Sequence, residues 1–348
     1  VSGALQVGVI GAGSFGTALA QVSALGGHRT ILLGRDPVQV DAMVQSRHNP
    51  RYLKDLELNL LVQPTADPER LRDQALWILA VPSQSMRGVC RSLRQVFSPG
   101  IRIVHVAKGL EIGTQKRLSQ VILEELPIAS DAVAVLSGPS HAEEIARRLP
   151  TTVAVASASQ SCAEFVQDVL MHDRLRLYTT PDVVGAEIGG ALKNVIALGC
   201  GIADGLHFGD NARAALITRG LVEIARLGVR MGAAYSTFSG LTGVGDLVVT
   251  CNSRQSRNWS AGYLIGQGRT PSEAVNEIGM AVEGVSTART ARALCDDYKV
   301  EMPIALAISD VLFSGKSPLV AVEELMTRSR THEVEELAQE STVDWVFA

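Results

Sequence analysis

Lys193 stands in the run Glu187-Ile188-Gly189-Gly190-Ala191-Leu192-Lys193-Asn194-Val195-Ile196-Ala197, which is crowded with small and apolar residues. At helical spacing its neighbours are Gly189, Gly190, Ile196 and Ala197. An ammonium in that company is unfavourable unless it has a partner or a task. Desolvation disfavours its charged form and lowers its pKa, which makes Lys193 a candidate for proton exchange near neutrality. The structural alternative is a lysine that snorkels to the helix edge. Downstream, Leu241-Thr242-Gly243-Val244-Gly245-Asp246-Leu247-Val248-Val249-Thr250 places one carboxylate on a glycine-rich loop entering an apolar segment. Asp246 reads either as a helix cap or as the counter-charge that holds a catalytic ammonium. Ser256-Arg257-Asn258 then opens the helical pattern Trp259–Gly266, and these side chains at a helix start form a receptor for a phosphate.

Two loops earlier in the chain add polar groups. Lys108, in Ala107-Lys108-Gly109, follows the strand-like run Arg102–Val106, and Gly138-Pro139-Ser140-His141-Ala142 follows Ala132–Leu136. Both lie where open α/β sheets bind ligands, at the C-terminal ends of strands. His141 is a weaker acid/base candidate than Lys193, whose surroundings are more shielded. Near the start, Gly11-Ala12-Gly13-Ser14-Phe15-Gly16 links the strand-like Leu5–Ile10 to the helical Thr17–Leu25. In that context Gly11 makes the tight turn, Gly13 lets a pyrophosphate approach, and Gly16 packs helix on strand. The helix N-terminus offers free N–H groups to the same anion. The next strand, Thr30–Leu33, runs into Gly34-Arg35-Asp36. A small residue followed by Arg suits a ribose 2′-phosphate. Asp36 reads as the cap of a helix opening at Pro37 rather than as a ribose ligand. The expected cofactor is NADP(H), with NAD(H) as the alternative.

The elements that must position these groups follow from the pattern of apolar runs. Leu5–Ile10, Thr30–Leu33, Leu76–Val81, Arg102–Val106 and Ala132–Leu136 alternate with helical stretches such as Gly13–Leu25 and Gln84–Val96. That alternation predicts a parallel sheet wound with helices. Thr151–Ala156 and Arg176–Thr179, flanking a helix at Ala158–Met171, would extend the sheet. After Thr180-Pro181-Asp182 the strands give way to Ala-, Leu- and Gly-rich helices. The expected fold is therefore a Rossmann-type α/β domain over 1–180 and an all-α domain over 181–326, with a peripheral acidic tail at 327–348. Five scattered cysteines lack metal-site spacing and suit reduced, buried thiols, so no metal is expected. Thirty-six acidic against 32 basic side chains leave a net charge of -4, without the basic excess that nucleic acid requires. Apolar runs such as Val195–Ala203 are shorter than a membrane span and no leader pattern is visible, so a cytoplasmic protein without an integral membrane segment is expected.

Taken together, these segments resemble the NAD(P)-dependent glycerol-3-phosphate dehydrogenases, in particular the bacterial biosynthetic form. The resemblance runs through GAGSFG (Gly11–Gly16), NPRYL (Asn49–Leu53), VAKGLE (Val106–Glu111), SGPSHA (Ser137–Ala142), LKNVIA (Leu192–Ala197), NARAALITRG (Asn211–Gly220), GLTGVGDLVVTC (Gly240–Cys251), QSRN (Gln255–Asn258) and VEGV (Val282–Val285). It reaches from the first residues to about residue 326, and the order and spacing of the motifs are highly specific. By this resemblance Lys193 is the proton donor or acceptor at the C2 oxygen, and Asp246 orients it. Lys108 contacts substrate and cofactor. Gly138 and Ser140 line the substrate, and Ala142 contacts the cofactor. Ser256, Arg257 and Asn258 hold the phosphate end, with Arg257 also near the dinucleotide. Ser14, Phe15, Arg35, Ala281 and Glu283 are cofactor positions. Two departures stand out: His141 replaces the usual Phe, and Leu53-Lys54 replaces Leu-Pro.

The resemblance implies hydride transfer between nicotinamide C4 and substrate C2, interconverting glycerol 3-phosphate and dihydroxyacetone phosphate for phospholipid synthesis, in a homodimer. Dehydrogenases of similar layout that act on 3-hydroxy acids or 6-phosphogluconate recognise a carboxylate and have no need of the Ser256-Arg257-Asn258 segment. A dinucleotide-sensing regulator without chemistry would not need Lys193 and Asp246.

Overall fold

Short β-branched and apolar runs pair into one eight-stranded sheet in the computed structural model, which describes residues 3–329. The strands are β1 (Gln6–Ile10), β2 (Arg29–Leu33), β3 (Val62–Thr65), β4 (Leu76–Leu79), β5 (Arg102–His105), β6 (Val133–Ser137), β7 (Thr151–Ser157) and β8 (Leu175–Thr180). Their order is β3-β2-β1-β4-β5-β6-β7-β8. All pairings are parallel except β6 with β7, which corrects the expectation of a wholly parallel sheet. Strand β3 was not anticipated. It carries Gln63 and Pro64 and pairs only with β2, and proline is tolerated on such an edge.

Helices α1 (Ser14–Leu25), α2 (Pro37–Ser46), α3 (Met86–Leu93), α4 (Leu118–Glu125), α5 (Ala142–Ala146) and α6 (Gln160–Leu170) accompany the sheet. The continuous helix expected over Gln84–Val96 is α3 flanked by single 3₁₀ turns, Ser83–Ser85 and Arg94–Val96. Apolar side chains of the strands fill two cores, one on each face. Val7, Val9, Ala18, Leu19 and Leu32 belong to one, and Ile10, Trp77, Leu79 and Ile103 to the other.

Past β8 the chain is helical: α7 (Val183–Gly205), α8 (Gly209–Arg230), α9 (Tyr235–Phe238), α10 (Asp246–Asn252), α11 (Arg257–Gly266), α12 (Pro271–Ile278), α13 (Glu283–Tyr298), α14 (Pro303–Phe313) and α15 (Pro318–Met326). Helix α7 opens on Asp182, whose carboxylate accepts from Gly185 N at 2.8 Å, Ala234 N at 2.9 Å and Thr237 Oγ1 at 2.6 Å. Contrary to the expectation from its apolar runs, α7 is long and apolar enough to cross a membrane; it is instead the core helix of the second domain, buried along most of its length. Its glycines explain how neighbours come so close. A methyl group on Gly201 would sit 2.1 Å from the Trp259 carbonyl oxygen, and one on Gly262 2.1 Å from that of Leu198. Helices α7 and α11 thus meet backbone to backbone. Each such glycine costs about 1 kcal/mol in helix propensity, offset by the packing it permits. The acidic tail expected from 327 lies, from residue 330 on, outside the described residues.

Candidate active site

Lys193 projects from the middle of α7 and is only 5% exposed, so it does not snorkel. Its Nζ donates to Asp246 Oδ1 at 2.6 Å and to Thr250 Oγ1 at 2.6 Å. Asp246 is the first residue of α10 rather than a cap. A π-helical turn, Leu241–Gly245, delivers it where the glycines suggested a loop. The other carboxylate oxygen, Oδ2, accepts from Lys108 Nζ at 2.8 Å. Lys108 Nζ also donates to the Gly138 carbonyl at 2.8 Å, and Ser140 Oγ stands 3.4 Å away. Gly138 has φ +127°, and a methyl there would lie 3.2 Å from Val153 Cα, so glycine is required. Thr250 was missed by sequence reasoning, although its i+4 spacing from Asp246 puts both on one helix face.

The electrostatics follow from the geometry. Burial pushes Lys193 down to about 8; the adjacent Asp246 opposes this and the Lys108 charge reinforces it. Burial by itself would raise Asp246, but the two ammoniums outweigh it and hold the carboxyl below its usual range. One anion between two cations gives the cleft a net positive charge, suited to an anionic substrate.

At the segment expected to receive a phosphate, α11 begins at Arg257, earlier than expected, with Ser256 as its cap accepting from Trp259 N at 3.2 Å. Asn258 is turned inward. Its Nδ2 donates to Asn194 Oδ1 at 2.9 Å, and its Oδ1 accepts from Gly284 N at 2.8 Å. Asn194 in turn donates to the Lys108 carbonyl at 2.9 Å. Asn258 and Asn194 therefore hold α7, α11, α13 and the Lys108 loop in register, Ser256 caps α11 alone, and the Arg257 side chain is exposed.

The glycine loop fits a dinucleotide. Gly11 has φ +111°, and a methyl on it would meet the Ala80 carbonyl oxygen at 2.4 Å; one on Gly16 would meet the Gly11 oxygen at 1.9 Å. A methyl on Gly13 would meet nothing within 4 Å, and no side chain caps the start of α1 at Ser14 and Phe15. Those N–H groups are left to an anion. Asn49, fully buried, braces the loop from NPRYL by donating to the Ala12 carbonyl at 3.1 Å and to Thr17 Oγ1 at 2.9 Å. Arg35 is exposed beyond β2, and Asp36 caps α2 through Val38 N at 3.1 Å and Gln39 N at 3.4 Å. Arg51 Nη1 approaches Asp36 Oδ2 at 3.8 Å, so Arg35 is not the sole cation near the end of β2.

The remaining positions divide by burial. Ala142, first residue of α5, is buried, whereas Ala281 is exposed. Glu283, first residue of α13, accepts from Ser83 N at 2.9 Å and from the Ser83 hydroxyl, joining the second domain to the loop after β4. His141 Nε2 is buried without a hydrogen-bond partner, and burial together with the Lys193 charge lowers its pKa.

A pyrophosphate cradle on an open sheet, together with a lysine–carboxylate–lysine array shared between the sheet domain's Lys108 and the helical domain's Lys193 and Asp246, defines a two-domain nicotinamide-dependent oxidoreductase. Comparison with known proteins narrows the class. Residues 6–163 match the family model for the NAD-dependent glycerol-3-phosphate dehydrogenase N-terminus, and residues 182–323 match that for its C-terminus. A glycerol-3-phosphate dehydrogenase of the NAD(P)+ type from Desulfitobacterium hafniense is 50% identical over 333 residues, 96% of this chain and 94% of that protein. One from Moorella thermoacetica is 51% identical over 331 residues, 95% of this chain and 98% of that protein. The crystal structure of glycerol-3-phosphate dehydrogenase from Coxiella burnetii superposes with a TM-score of 0.89 at 36% identity, covering 93% of this chain and 99% of that one. The chain belongs to the NAD-dependent glycerol-3-phosphate dehydrogenase family.

Proposed function

We propose that the protein interconverts sn-glycerol 3-phosphate and dihydroxyacetone phosphate, with Lys193 as the acid/base at the C2 oxygen. The observation that carries this reading is the array in which Asp246 accepts from Lys193 at 2.6 Å and from Lys108 at 2.8 Å. A pKa brought down to about 8 lets Lys193 give a proton to a carbonyl oxygen in one direction and recover it in the other. Asp246, kept ionised by both ammoniums, orients Lys193 and takes no proton. Thr250 fixes a second direction of the ammonium. Lys108 places positive charge where the C2 oxygen turns negative, and Gly138 and Ser140 hold Lys108 in place while lining the substrate. The dinucleotide, when bound, supplies or accepts the hydride at C2. Gly11, Gly13, Ser14, Phe15 and Gly16 would hold its pyrophosphate, with Ala142, Ala281 and Glu283 at its other edges. The Arg35 and Arg51 guanidiniums support a preference for NADP(H). Supply of glycerol 3-phosphate to phospholipid synthesis, cytoplasmic location and a homodimer rest on the family alone.

Arg257 is the expected phosphate ligand, because it is exposed at the start of α11 beside a positively charged cleft. A charge-assisted contact contributes about 1.5–3 kcal/mol, roughly 10- to 150-fold in binding. Steady-state kinetics with dihydroxyacetone phosphate and with unphosphorylated dihydroxyacetone test it. Arg257→Ala is expected to raise KM for the phosphorylated substrate by that factor and to leave the other nearly unchanged. Equal losses on both would remove Arg257 from the phosphate site, and wild-type protein inactive on dihydroxyacetone phosphate would overturn the reading as a whole.

A further inference from the structure

Outside the array just described, a buried carboxylate network lies where the two domains meet. Glu187 sits on α7, and its side chain is 2% exposed. Its partners all come from the first domain. Arg117 Nη1 donates to Oε2 at 2.6 Å, Ser119 N to Oε1 at 2.8 Å, and Ser119 Oγ to Oε2 at 2.6 Å. His105 Nε2, itself fully buried, lies 3.2 Å from Oε1 without hydrogen-bond alignment. Burial alone would raise the Glu187 carboxyl, but the His105 ring, the Arg117 guanidinium and the Ser119 hydroxyl outweigh it and hold it at about 2. A buried carboxylate with this many donors is rigid, and removing its charge takes from the half-buried Arg117 its ion-pair partner.

The network's place in the chain matters more than its strength. Glu187 precedes Lys193 on the same helix, about 9 Å along the axis at about 1.5 Å per residue. His105 ends β5, and the loop that follows carries Lys108. The network therefore clamps together the two elements whose lysines converge on Asp246. Among the described residues the hydrogen-bond partners of Glu187 are Arg117 and Ser119, so it touches none of the reacting groups and acts on them through the elements it joins.

We propose that Glu187 is a positioning residue for the acid/base: its contacts with His105, Arg117 and Ser119 set the registry of α7 against β5 and α4, and with it the spacing of Lys193 and Lys108 on Asp246. The inference rests on Lys193 being the acid/base. The groups that face Lys193 are Asp246, Thr250 and Cys251 from α10, Lys108 from the loop after β5, and His141 from the loop before α5. Loosening the clamp admits water and lets the two ammoniums separate. Both changes return the Lys193 pKa upward, towards 10.5 from about 8.

The test compares kcat–pH profiles for carbonyl reduction, together with NADPH affinity, in wild type, Glu187→Gln and Ser119→Ala. Misplacement of about 1 Å loses on the order of 10²-fold in rate. Glu187→Gln is expected to lose that much kcat, to keep NADPH affinity within about twofold, and to move the basic limb of the profile to higher pH. Ser119→Ala, which leaves the Arg117 ion pair intact, is the milder variant if the first folds poorly, and is expected to shift the limb in the same direction by less. A fall in kcat with an unmoved limb, or no change in either variant, would overturn the proposal. Lys193→Ala retaining wild-type kcat would instead strike the acid/base reading itself, and the positioning role with it.

Discussion

Two ammoniums on one buried carboxylate favour a lysine over the nearby histidine as the proposed acid/base. Lys193 is brought to about 8 yet kept in a fixed direction by Asp246 and Thr250, whereas His141 Nε2 has no hydrogen-bond partner to orient it. Lys193 and Asp246 were legible in the sequence because a lone charge among glycine, alanine and isoleucine needs a partner. Thr250, Asn194 and Asn49 were not, since a small polar residue in an apolar run carries no sign of which distant group it meets. The inward turn of Asn258 was hidden for the same reason: one sequence does not reveal that Asn194 and Gly284 are waiting for it. Arg51 also escaped notice, which changes the expectation for cofactor choice. With Arg51 Nη1 3.8 Å from Asp36, Arg35→Ala alone leaves a second guanidinium near the end of β2. Kinetics with NADPH and NADH are expected to show a modest rise in KM for NADPH in Arg35→Ala, a larger rise when Arg51→Ala is added, and little change for NADH. Parallel losses on both cofactors would contradict a 2′-phosphate site.

Among the elements, α7 carries the most constraint: it bears Glu187, Lys193 and Asn194 and meets α11 backbone to backbone at Gly201 and Gly262. In an unpacked helix Gly262→Ala would stabilise by about 1 kcal/mol. Here the added methyl meets the Leu198 carbonyl oxygen at 2.1 Å, a backbone atom that cannot swing aside. Overpacking of this kind costs about 1–3 kcal/mol, so the sign reverses. Urea unfolding of Gly262→Ala is expected to show a lower midpoint than wild type, and an equal or higher midpoint would contradict the close approach. The elements themselves were largely readable as apolar periodicities. Val62–Thr65 becomes a strand because β2 offers an edge, which no local pattern shows. Leu241–Gly245 is wound so tightly that a methyl on Gly243 would lie 2.0 Å from the Phe238 carbonyl oxygen, and its glycines read equally well as a loop.

Across the whole molecule, the sheet supplies the dinucleotide cradle and Lys108, while the helical domain supplies Lys193, Asp246 and Arg257. Neither domain has a complete site. The change from strand patterns to helical ones near Thr180 was visible in the sequence, but the contacts that join the domains, Glu187 with Arg117 and Glu283 with Ser83, span long separations and have no local signature. This division of labour makes binding and chemistry separable by experiment. Lys193→Ala removes the proposed acid/base and leaves the Gly11–Gly16 loop untouched, so a cofactor titration and steady-state reduction of dihydroxyacetone phosphate on the same preparation isolate the chemical role. Loss of a general acid/base typically lowers the rate by about 10²–10⁴. The account predicts a fall in kcat within that range at unchanged NADPH affinity, with Lys193→Arg little better because guanidinium does not release its proton near neutrality. Retention of more than about a tenth of wild-type kcat by Lys193→Ala, short of that usual loss, would contradict it.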